Sequence, residues 1–199
     1  MNIAIADYGV GNLYSIAKGL ERAGAKTEIV TEPRALLKAE CIVLPGVGAF
    51  GAAMDALRPV LPELRSRISE GVPTLGICLG MQILFERSEE SSGEGISALK
   101  GDVKRFRKGR IPQMGWNDVR FGKDPLFEGI PEGSQFYFAN SYICHPADKI
   151  GIADTVYGEK FPSAVRMGKI VGVQFHPEKS GPPGLKLLAN FIAIAEGRS

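Results

Sequence analysis

Short apolar runs alternate with segments of helical spacing in the first half of the chain, and this alternation limits the folds open to it. The apolar runs predict strands over residues 2–6, 41–44 and 74–77, and residues 26–30 predict a further strand. The segments of helical spacing predict helices over residues 11–24, 62–70 and 80–87. Strands and helices in this order favour a parallel sheet covered by helices. Ligands of such sheets bind beyond the carboxyl ends of the strands, so functional residues are expected there.

The second half of the chain carries shorter strand-like pieces and one closing helix. Residues 88–101 are polar and rich in glycine, which predicts a surface loop. Further strands are predicted over residues 103–106, 117–121, 135–138 and 141–143, a β-meander over 152–175 and a helix over 185–195. We therefore expect one domain over residues 1–199, of the α/β class: an open, twisted, mostly parallel sheet flanked by helices, with a small antiparallel extension.

Charge and composition argue against several classes of protein. Lysine and arginine number 24 against 22 acidic residues, a formal net charge of +2, which argues against nucleic-acid coating and a polybasic membrane anchor. No apolar run approaches the roughly 20 residues of a spanning helix. The first residues show neither the basic region nor the cleavage site of an export signal. We expect a cytoplasmic protein with thiols at Cys41, Cys78 and Cys144, and no metal or other cofactor.

A cysteine between two glycines follows the strand predicted over 74–77. Gly76 and Gly80 flank Cys78 with the spacing of the nucleophile elbow G-x-S-x-G, with sulfur in place of oxygen. A sharp turn from strand to helix strains the nucleophile's backbone and requires close neighbours without Cβ atoms. The helix N-terminus favours the thiolate, and the amide of Leu79 can point at a developing oxyanion. A buried structural cysteine is the alternative interpretation.

A histidine and a carboxylate stand at the end of another predicted strand, over 169–175. Thiolate catalysis needs a base for the proton, and that base needs an orienting acceptor. His176 and Glu178 can supply both, with Pro177 restricting the backbone between them. The alternative is a surface histidine beside a solvated glutamate. His145 is the other histidine of the chain and hence the other candidate base.

A glycine-rich segment, PGVGAFG at 45–51, follows the third predicted strand. It matches the G-x-G-x-x-G pattern of dinucleotide-binding sites. Pro45 breaks the tight turn which that pattern requires, and Pro59 and Pro62 disturb the unit that should follow. The competing interpretation is a flexible strand that lends a backbone N–H to an oxyanion, because glycines permit the peptide flip that this needs.

Together these motifs resemble those of the triad-type, or class I, glutamine amidotransferases. Within that family the chain is most similar to the glutaminase subunits of imidazole glycerol phosphate synthase. The resemblance covers essentially the whole chain, through DYGVGNL at 7–13, PGVGAFG at 45–51, GICLGMQ at 76–82, IPQMGWN at 111–117, FYFANSY at 136–142 and HPEKS at 176–180. It implies the flavodoxin-like α/β fold of the family and an enzyme of histidine biosynthesis that hydrolyses L-glutamine.

The resemblance implies a catalytic triad of Cys78, His176 and Glu178. The thiolate of Cys78 would attack the side-chain amide carbon of glutamine. His176, oriented by Glu178, would protonate the departing amine and then activate water. The amides of Leu79 and, after a flip of the glycine strand, Val47 would hold the oxyanion.

The resemblance also implies a glutamine pocket. Its implied lining is Gly46, Gly48, Gln82, Ser141 and Tyr142. Gln82 would lie one helical turn beyond the nucleophile, where a side chain can face back toward the pocket. Without the family, plain strand packing would explain Ser141 and Tyr142.

A partner subunit follows from the same resemblance. The ammonia would pass to a separate (β/α)₈-barrel synthase subunit of a heterodimer, since this chain shows no machinery for an acceptor substrate. Lys179 resembles a position that reaches across the interface. Trp116, the single tryptophan, is either an aromatic anchor at that interface or a core residue.

One position departs from the family pattern, because Asn140 stands where the family usually has histidine. The departure leaves the triad intact and concerns how the glutamine pocket signals to the partner. Two rival functions keep the same fold. One is a free-standing cysteine hydrolase acting on a peptide or small molecule, and the other is a non-enzymatic, nucleotide-binding subunit.

Overall fold

The computed structural model describes residues 1–9 and 12–198 of the chain. Val10, Gly11 and Ser199 lie outside the described residues, and with them the predicted helix start at residue 11 and part of the 7–13 segment. The α-helices of the described part are α1 (Leu13–Arg22), α2 (Phe50–Leu57), α3 (Leu61–Ser69), α4 (Leu79–Ile83) and α5 (Gly181–Ala195). Short 3₁₀ helices span Pro33–Lys38, Arg58–Val60, Pro125–Phe127 and Pro177–Lys179.

The strands of the described part form three sheets. They are β1 (Asn2–Ala6), β2 (Lys26–Val30), β3 (Ile42–Leu44), β4 (Thr74–Ile77), β5 (Arg87–Ser88), β6 (Ser91–Glu94), β7 (Gly101–Arg105), β8 (Gln113–Asp118), β9 (Arg120–Phe121), β10 (Gln135–Asn140), β11 (Tyr142–Pro146), β12 (Gly151–Tyr157), β13 (Glu159–Met167) and β14 (Ile170–Val173). The largest sheet has the order β2-β1-β3-β4-β14-β13-β12-β9. Two smaller sheets pair β10 with β8 and order the rest as β11-β7-β5-β6.

The large sheet is parallel on one side and antiparallel on the other. Every pair from β2 to β14 is parallel, whereas β14, β13, β12 and β9 are paired antiparallel. The antiparallel part is the predicted meander, joined to the parallel strands through β14. The predicted fold class, a mostly parallel α/β sheet with an antiparallel extension, is confirmed.

The inner parallel strands, from β1 to β14, are largely apolar because both faces of the sheet are buried there, whereas the edge strand β2 carries exposed polar residues. In β1, Ile3 and Ile5 belong to one core, whereas Ala4 and Ala6 belong to the other, as expected when side chains alternate across a strand. Helices α1 and α5 cover the first face, and α2, α3 and α4 cover the second. Helices on both faces leave the strand ends as the place where the sheet meets solvent.

The helix predicted over 80–87 is wrong in its second half. Helix α4 ends at Ile83, and Arg87 already lies in β5. Amides of residues 95–97 bond to carbonyls that would have continued the helix, and that of Ile96 donates to the carbonyl of Ile83 at 2.7 Å. Because tertiary hydrogen bonds satisfy these carbonyls, the helix need not continue.

The surface loop predicted over 88–101 is also wrong in part. Strands β5 and β6 form a hairpin in this segment, and Ile96 and Leu99 are buried in the second core. Helix α2 has no counterpart among the predicted elements. Pro59 and Pro62 do not disturb the helical region after α2, because each lies in the first turn of its own helix. In a first turn the backbone N–H has no partner within the helix, so the N–H that proline lacks is not missed.

Two general points complete the fold. The single domain over residues 1–199 stays a prediction, which the continuous eight-stranded sheet supports. Among the described residues, no helix has the length and apolar character needed to cross a membrane.

Candidate active site

Cys78 lies in a strained turn between β4 and α4. Its φ of 53° and ψ of −105° are unusual for a residue other than glycine. A Cβ at Gly76 would lie 2.5 Å from the carbonyl oxygen of Gly80, and a Cβ at Gly80 would lie 1.8 Å from that of Leu44. The turn is therefore possible only with glycine at both positions, which agrees with the predicted nucleophile elbow.

The histidine of the proposed triad follows the neighbouring strand, β14. Strands β4 and β14 pair with Ile77 opposite Val173, and the amide of Cys78 donates to the carbonyl of Val173 at 2.7 Å. His176 comes three residues later and is buried. Its Nδ1 lies 2.9 Å from Oε1 of Glu178. The fold thus brings the cysteine and the histidine to adjacent strand ends.

The charges around His176 favour the imidazolium. Burial opposes the charged ring, but hydrogen bonding and electrostatic attraction from the side chains of Cys78 and Glu178 outweigh burial and raise the pKa of His176 to about 10. Among the described residues, Nε2 of His176 has no hydrogen-bond partner. Nδ1 of the ring is therefore held by Glu178, and Nε2 is the nitrogen left to exchange a proton with Cys78 or a substrate.

The turn that carries His176 is fixed by the serine at its end. Oγ of Ser180 donates to the carbonyl of His176 at 2.6 Å and accepts from the amide of Tyr137 at 3.0 Å. The amide of His176 in turn donates to the carbonyl of Tyr137 at 2.8 Å. These bonds anchor the segment HPEKS to strand β10 and so fix the position of the imidazole.

A cavity of about 180 Å³ opens at Cys78. Its walls come from the glycine-rich segment, the elbow, the β10–β11 turn and two further loops. They include Val47, Gly48, Cys78, Leu79, Gln82, Glu90, Asn140, Ser141 and Tyr142. The cavity therefore brings together a thiol, a carboxylate, neutral polar side chains and the backbone of the glycine-rich segment.

The glycine-rich segment passes directly over the first turn of α4. A Cβ at Gly46 would lie 2.4 Å from Cβ of Leu79, so only glycine allows this approach. Gly48 has a φ of 137°, a conformation open to glycine. The hydroxyl of Tyr8, a buried residue, donates to the carbonyl of Pro45, which ties the start of this segment to the N-terminal part of the chain.

Comparison with known proteins decides the family. Residues 4–195 match the family described as glutamine amidotransferase class-I. A curated protein of Methanosarcina mazei, described as imidazole glycerol phosphate synthase subunit HisH, is 47% identical over 198 residues, which cover 96% of this chain and 98% of that protein. The protein of the same description from Methanocaldococcus jannaschii is 46% identical over 195 residues, covering 96% and 99%. The chain belongs to the class I glutamine amidotransferase family. The resemblance predicted from its motifs is thereby confirmed.

Solved structures share the fold of this amidotransferase. One described as a glutamine amidotransferase has a TM-score of 0.78 at 22% identity and covers 98% of both chains. A glutamine amidotransferase from Thermotoga maritima has a TM-score of 0.69 at 16% identity, again covering 98% of both chains. At this level of identity the likeness supports the α/β fold.

The structure brings most of the predicted site residues of the amidotransferase to one place. The predicted residues that line the cavity are Val47, Gly48, Cys78, Leu79, Gln82, Ser141 and Tyr142. Gly46 packs against Leu79 behind the cavity wall. His176 and Glu178 stand on the adjoining strand end. The roles assigned to these residues stay predictions.

Two residues near the amidotransferase site were not predicted from the sequence. Glu90 lines the cavity, and its Oε2 accepts from the amide of Phe50 at 2.8 Å. Glu90 lies in the segment predicted as a surface loop. Because the β5–β6 hairpin was not predicted there, the sequence did not indicate that Glu90 lies near the site. Gln174 is fully buried, and its Nε2 lies 3.5 Å from Sγ of Cys78. Its position two residues before His176 was the only sequence feature that could have indicated its place near the site.

Asn140, the departure from the family pattern, lies in the cavity wall. Its Nδ2 donates to the carbonyl of Tyr142 at 3.0 Å, and its buried Oδ1 has no partner among the described residues. His145 is exposed on β11 opposite Asp102 and is absent from the cavity lining. It therefore neither replaces the missing histidine nor competes with His176 as the base.

The two predicted interface residues lie on the surface beside His176. Trp116 is 55% exposed, so the core alternative for it is wrong. Its ring meets that of Tyr137 edge to face at 6.2 Å, and Nζ of Lys179 lies 5.6 Å from the centre of the Tyr137 ring. Met114, two residues before Trp116, is 67% exposed. An apolar surface with one cation thus adjoins the active site.

Proposed function

We propose that this chain is the glutaminase subunit of imidazole glycerol phosphate synthase and works in the cytoplasm in histidine biosynthesis. It hydrolyses L-glutamine to glutamate and ammonia. The observation that carries the proposal is the strained Cys78 beside a buried His176–Glu178 pair, in a chain 47% identical to a HisH subunit over nearly its whole length.

The reaction begins at the sulfur of Cys78. The thiolate attacks the side-chain carboxamide carbon of glutamine, and the carbonyl electrons move to oxygen. The amide of Leu79 is the first of helix α4 and has no intrahelical partner by its position, so it is free to donate to this oxyanion. The amide of Val47 is the second donor once the glycine strand has turned it toward the cavity.

The imidazolium of His176 then releases ammonia. Nε2 gives its proton to the amine as the carbon–nitrogen bond breaks, which leaves a glutamyl thioester on Cys78. The now neutral ring takes a proton from water, whose oxygen attacks the thioester. Collapse of this second intermediate breaks the carbon–sulfur bond, releases glutamate and restores the thiolate–imidazolium pair.

The cavity provides complementary groups for the amino-acid end of glutamine. Glu90 supplies a carboxylate at its wall, and a carboxylate pairs with the α-ammonium group of an amino acid. Gln82, Ser141 and Tyr142 supply hydrogen-bonding groups in the same wall. A volume of about 180 Å³ suits a small amino acid better than a peptide or a dinucleotide.

The partner is a (β/α)₈-barrel synthase subunit that receives the ammonia. Ammonia is protonated in neutral water and then no longer nucleophilic, so it must reach the second site by a dry route. The exposed surface of Trp116 and Lys179 beside His176 supports an interface that covers the site. Exposed apolar side chains at such a place are typical of binding surfaces.

The proposal is tested by measuring glutamate release by this chain, first alone and then with the barrel subunit plus its phosphate ligand. We expect slow hydrolysis by the chain alone, because Val47 does not yet donate to the oxyanion. The partner with its ligand should raise turnover by about 10²–10³-fold, which is the effect of one oxyanion donor. Fast hydrolysis by the isolated chain would contradict the switch, and no hydrolysis under either condition would contradict the function.

The pH dependence of hydrolysis tests the role of Glu178. Because the pKa of His176 is raised to about 10, the imidazolium persists through neutral pH, and kcat/KM should decline only as the pH rises through that value. Glu178→Gln removes one of the charges that raise this pKa. The basic limb of kcat/KM should therefore move to lower pH.

The matched control for Glu178→Gln is Glu132→Gln, which changes an exposed carboxylate of the same charge. Its basic limb should coincide with that of the unmodified chain. A Glu178→Gln profile with an unmoved basic limb would show that this carboxylate does not act on His176.

A further inference from the structure

A chain of buried hydrogen bonds reaches the sulfur of Cys78 from within the protein. Nε2 of Gln174 donates to Sγ of Cys78 at 3.5 Å, across 96 positions of sequence. Oε1 of Gln174 accepts from Nε2 of Gln82 at 3.2 Å. The same Nε2 of Gln82 donates to the carbonyl of Tyr142 at 3.1 Å. Gln174 is fully buried and Gln82 nearly so.

The direction of these bonds is fixed by the carbonyl at their far end. A backbone carbonyl can only accept, so the end of the Gln82 amide that faces Tyr142 must be its NH₂ group. That NH₂ group also faces Gln174, whose nearer atom must therefore be the carbonyl oxygen. The remaining end of the Gln174 amide is then NH₂, and it faces the sulfur. The N–H···S orientation thus follows from the network.

The backbone holds Gln174 in this place. The residue directly follows β14, and its amide donates to the carbonyl of Ser163 at 2.9 Å. The preceding Val173 accepts from the amide of Cys78 at 2.7 Å. Because Cys78 and Gln174 each directly follow one of two paired strands, the backbone fixes the distance from which Gln174 reaches the sulfur.

Besides its interaction with His176, the sulfur has two hydrogen-bond contacts of opposite kind with described residues. As a thiol it can donate to the carbonyl of Ala139, which lies 3.8 Å away. A thiolate has no proton to donate, and that carbonyl oxygen then offers no stabilisation. The N–H of Gln174 in contrast stabilises the thiolate, since a hydrogen bond to an ionised acceptor is stronger than one to a neutral acceptor.

We propose that Gln174 is a positioning residue for the nucleophile: its side-chain amide holds Sγ of Cys78 in one orientation and favours the thiolate. The role rests on the proposed function in that the sulfur is the nucleophile for glutamine. It adds to the triad a group that acts through Cys78 without touching substrate. Gln82 then has a second task besides lining the pocket, because it fixes which end of the Gln174 amide faces the sulfur.

The test is the pH dependence of alkylation of Cys78 by iodoacetamide in the full chain, followed on the peptide that contains Cys78. Burial raises the pKa of Cys41 to about 12 and also raises the pKa of Cys144, so neither thiol competes. Gln174→Met keeps the length of the side chain and removes the donor. Its alkylation midpoint should rise by about one pH unit, so that alkylation below the midpoint slows about tenfold.

The matched control is Asn190→Leu, which removes another buried amide that makes two hydrogen bonds, to the carbonyls of Leu126 and Glu128. Its alkylation midpoint should equal that of the unmodified chain even if its Tm falls as much as that of Gln174→Met. An unmoved midpoint in Gln174→Met would overturn the proposal. Equal shifts in both variants would do the same, because they would point to a general effect of lost stability.

A measurement on the unmodified chain covers the case in which Gln174→Met does not fold. The side-chain amide resonance of Gln174, followed by NMR with ¹⁵N-labelled glutamine residues, should shift with the same pH midpoint as alkylation of Cys78. Cys78→Ser should abolish that shift. A resonance that does not respond to pH across the midpoint would overturn the proposal.

Failure of the further inference is separable from failure of the proposed function. Glutamate release by the unmodified complex together with an unmoved midpoint in Gln174→Met would reject the role of Gln174 alone. A shifted midpoint in a chain that never releases glutamate would reject the glutaminase and leave the N–H···S contact supported.

Discussion

Replacement of Cys78 by alanine should abolish glutamine-dependent product formation by the complex and leave ammonia-dependent formation intact. The loss should be roughly 10⁶-fold, as on removal of the nucleophile in other triad hydrolases, and thus below detection in a glutamate-release assay. Ammonia added from solution bypasses the thioester, because the barrel subunit carries out the second reaction. The measurement is product formation from glutamine and from ammonium salt, side by side.

Parallel measurements distinguish the loss of the nucleophile in Cys78→Ala from a loss of folding or docking. Cys78 stands at a positive φ, so Cys78→Ala can change stability, and both its Tm and its affinity for the barrel subunit must be measured in parallel. Cys144→Ala is the matched control, since this thiol is buried and does not line the cavity. Loss of both activities in Cys78→Ala would indicate a docking defect, and retained use of glutamine would contradict the proposed nucleophile.

Replacement of His176 by alanine should lower glutamine hydrolysis by about 10²–10⁴-fold, the usual contribution of general acid–base catalysis. The variant lacks the group that protonates the departing amine and the partner that stabilises the thiolate. Alkylation of Cys78 near neutral pH should also slow, because the thiolate–imidazolium pair is gone. Ammonia-dependent product formation should persist.

His145→Ala is the control for that experiment. His145 is exposed on β11 and absent from the cavity lining, so its removal should leave glutamine hydrolysis within about twofold, as expected of a surface change. Equal losses from His145→Ala and His176→Ala would contradict the assignment of the base. Glu178→Gln should be milder than His176→Ala, since an orienting carboxylate acts only through the ring.

Local patterns in the sequence predicted much of the parallel part of the fold. Strands β1, β2 and β4 have the predicted bounds. For β1 and β4 the reason is that a buried parallel strand is largely apolar, and such a local pattern does not depend on distant residues. The end of α4 could not be predicted in this way. The carbonyl of its last residue, Ile83, and those of Phe85 and Glu86 just after it bond to amides of residues 95–97, and such tertiary bonds leave no local signal.

In the candidate site, too, local sequence patterns could be predicted and contacts between distant residues could not. The glycines at 76 and 80 predicted the turn around Cys78, and HPE predicted a base with its carboxylate, because these groups are close in sequence. Gln174 was missed, since its contact with Cys78 crosses 96 positions and depends on the pairing of β4 with β14. The exposure of Trp116 was likewise open, because a tryptophan on a short strand can face either side.

The most direct test of Cys78 as the nucleophile is to mix the complex with glutamine, stop the reaction with acid during turnover and measure the mass of the peptide that contains Cys78. Attack by Cys78 predicts that part of this peptide gains the mass of one glutamyl group, and that the gain disappears in Cys78→Ala. Glutamate release with no modified peptide, or with the glutamyl group on Cys41 or Cys144 instead, would contradict attack by Cys78.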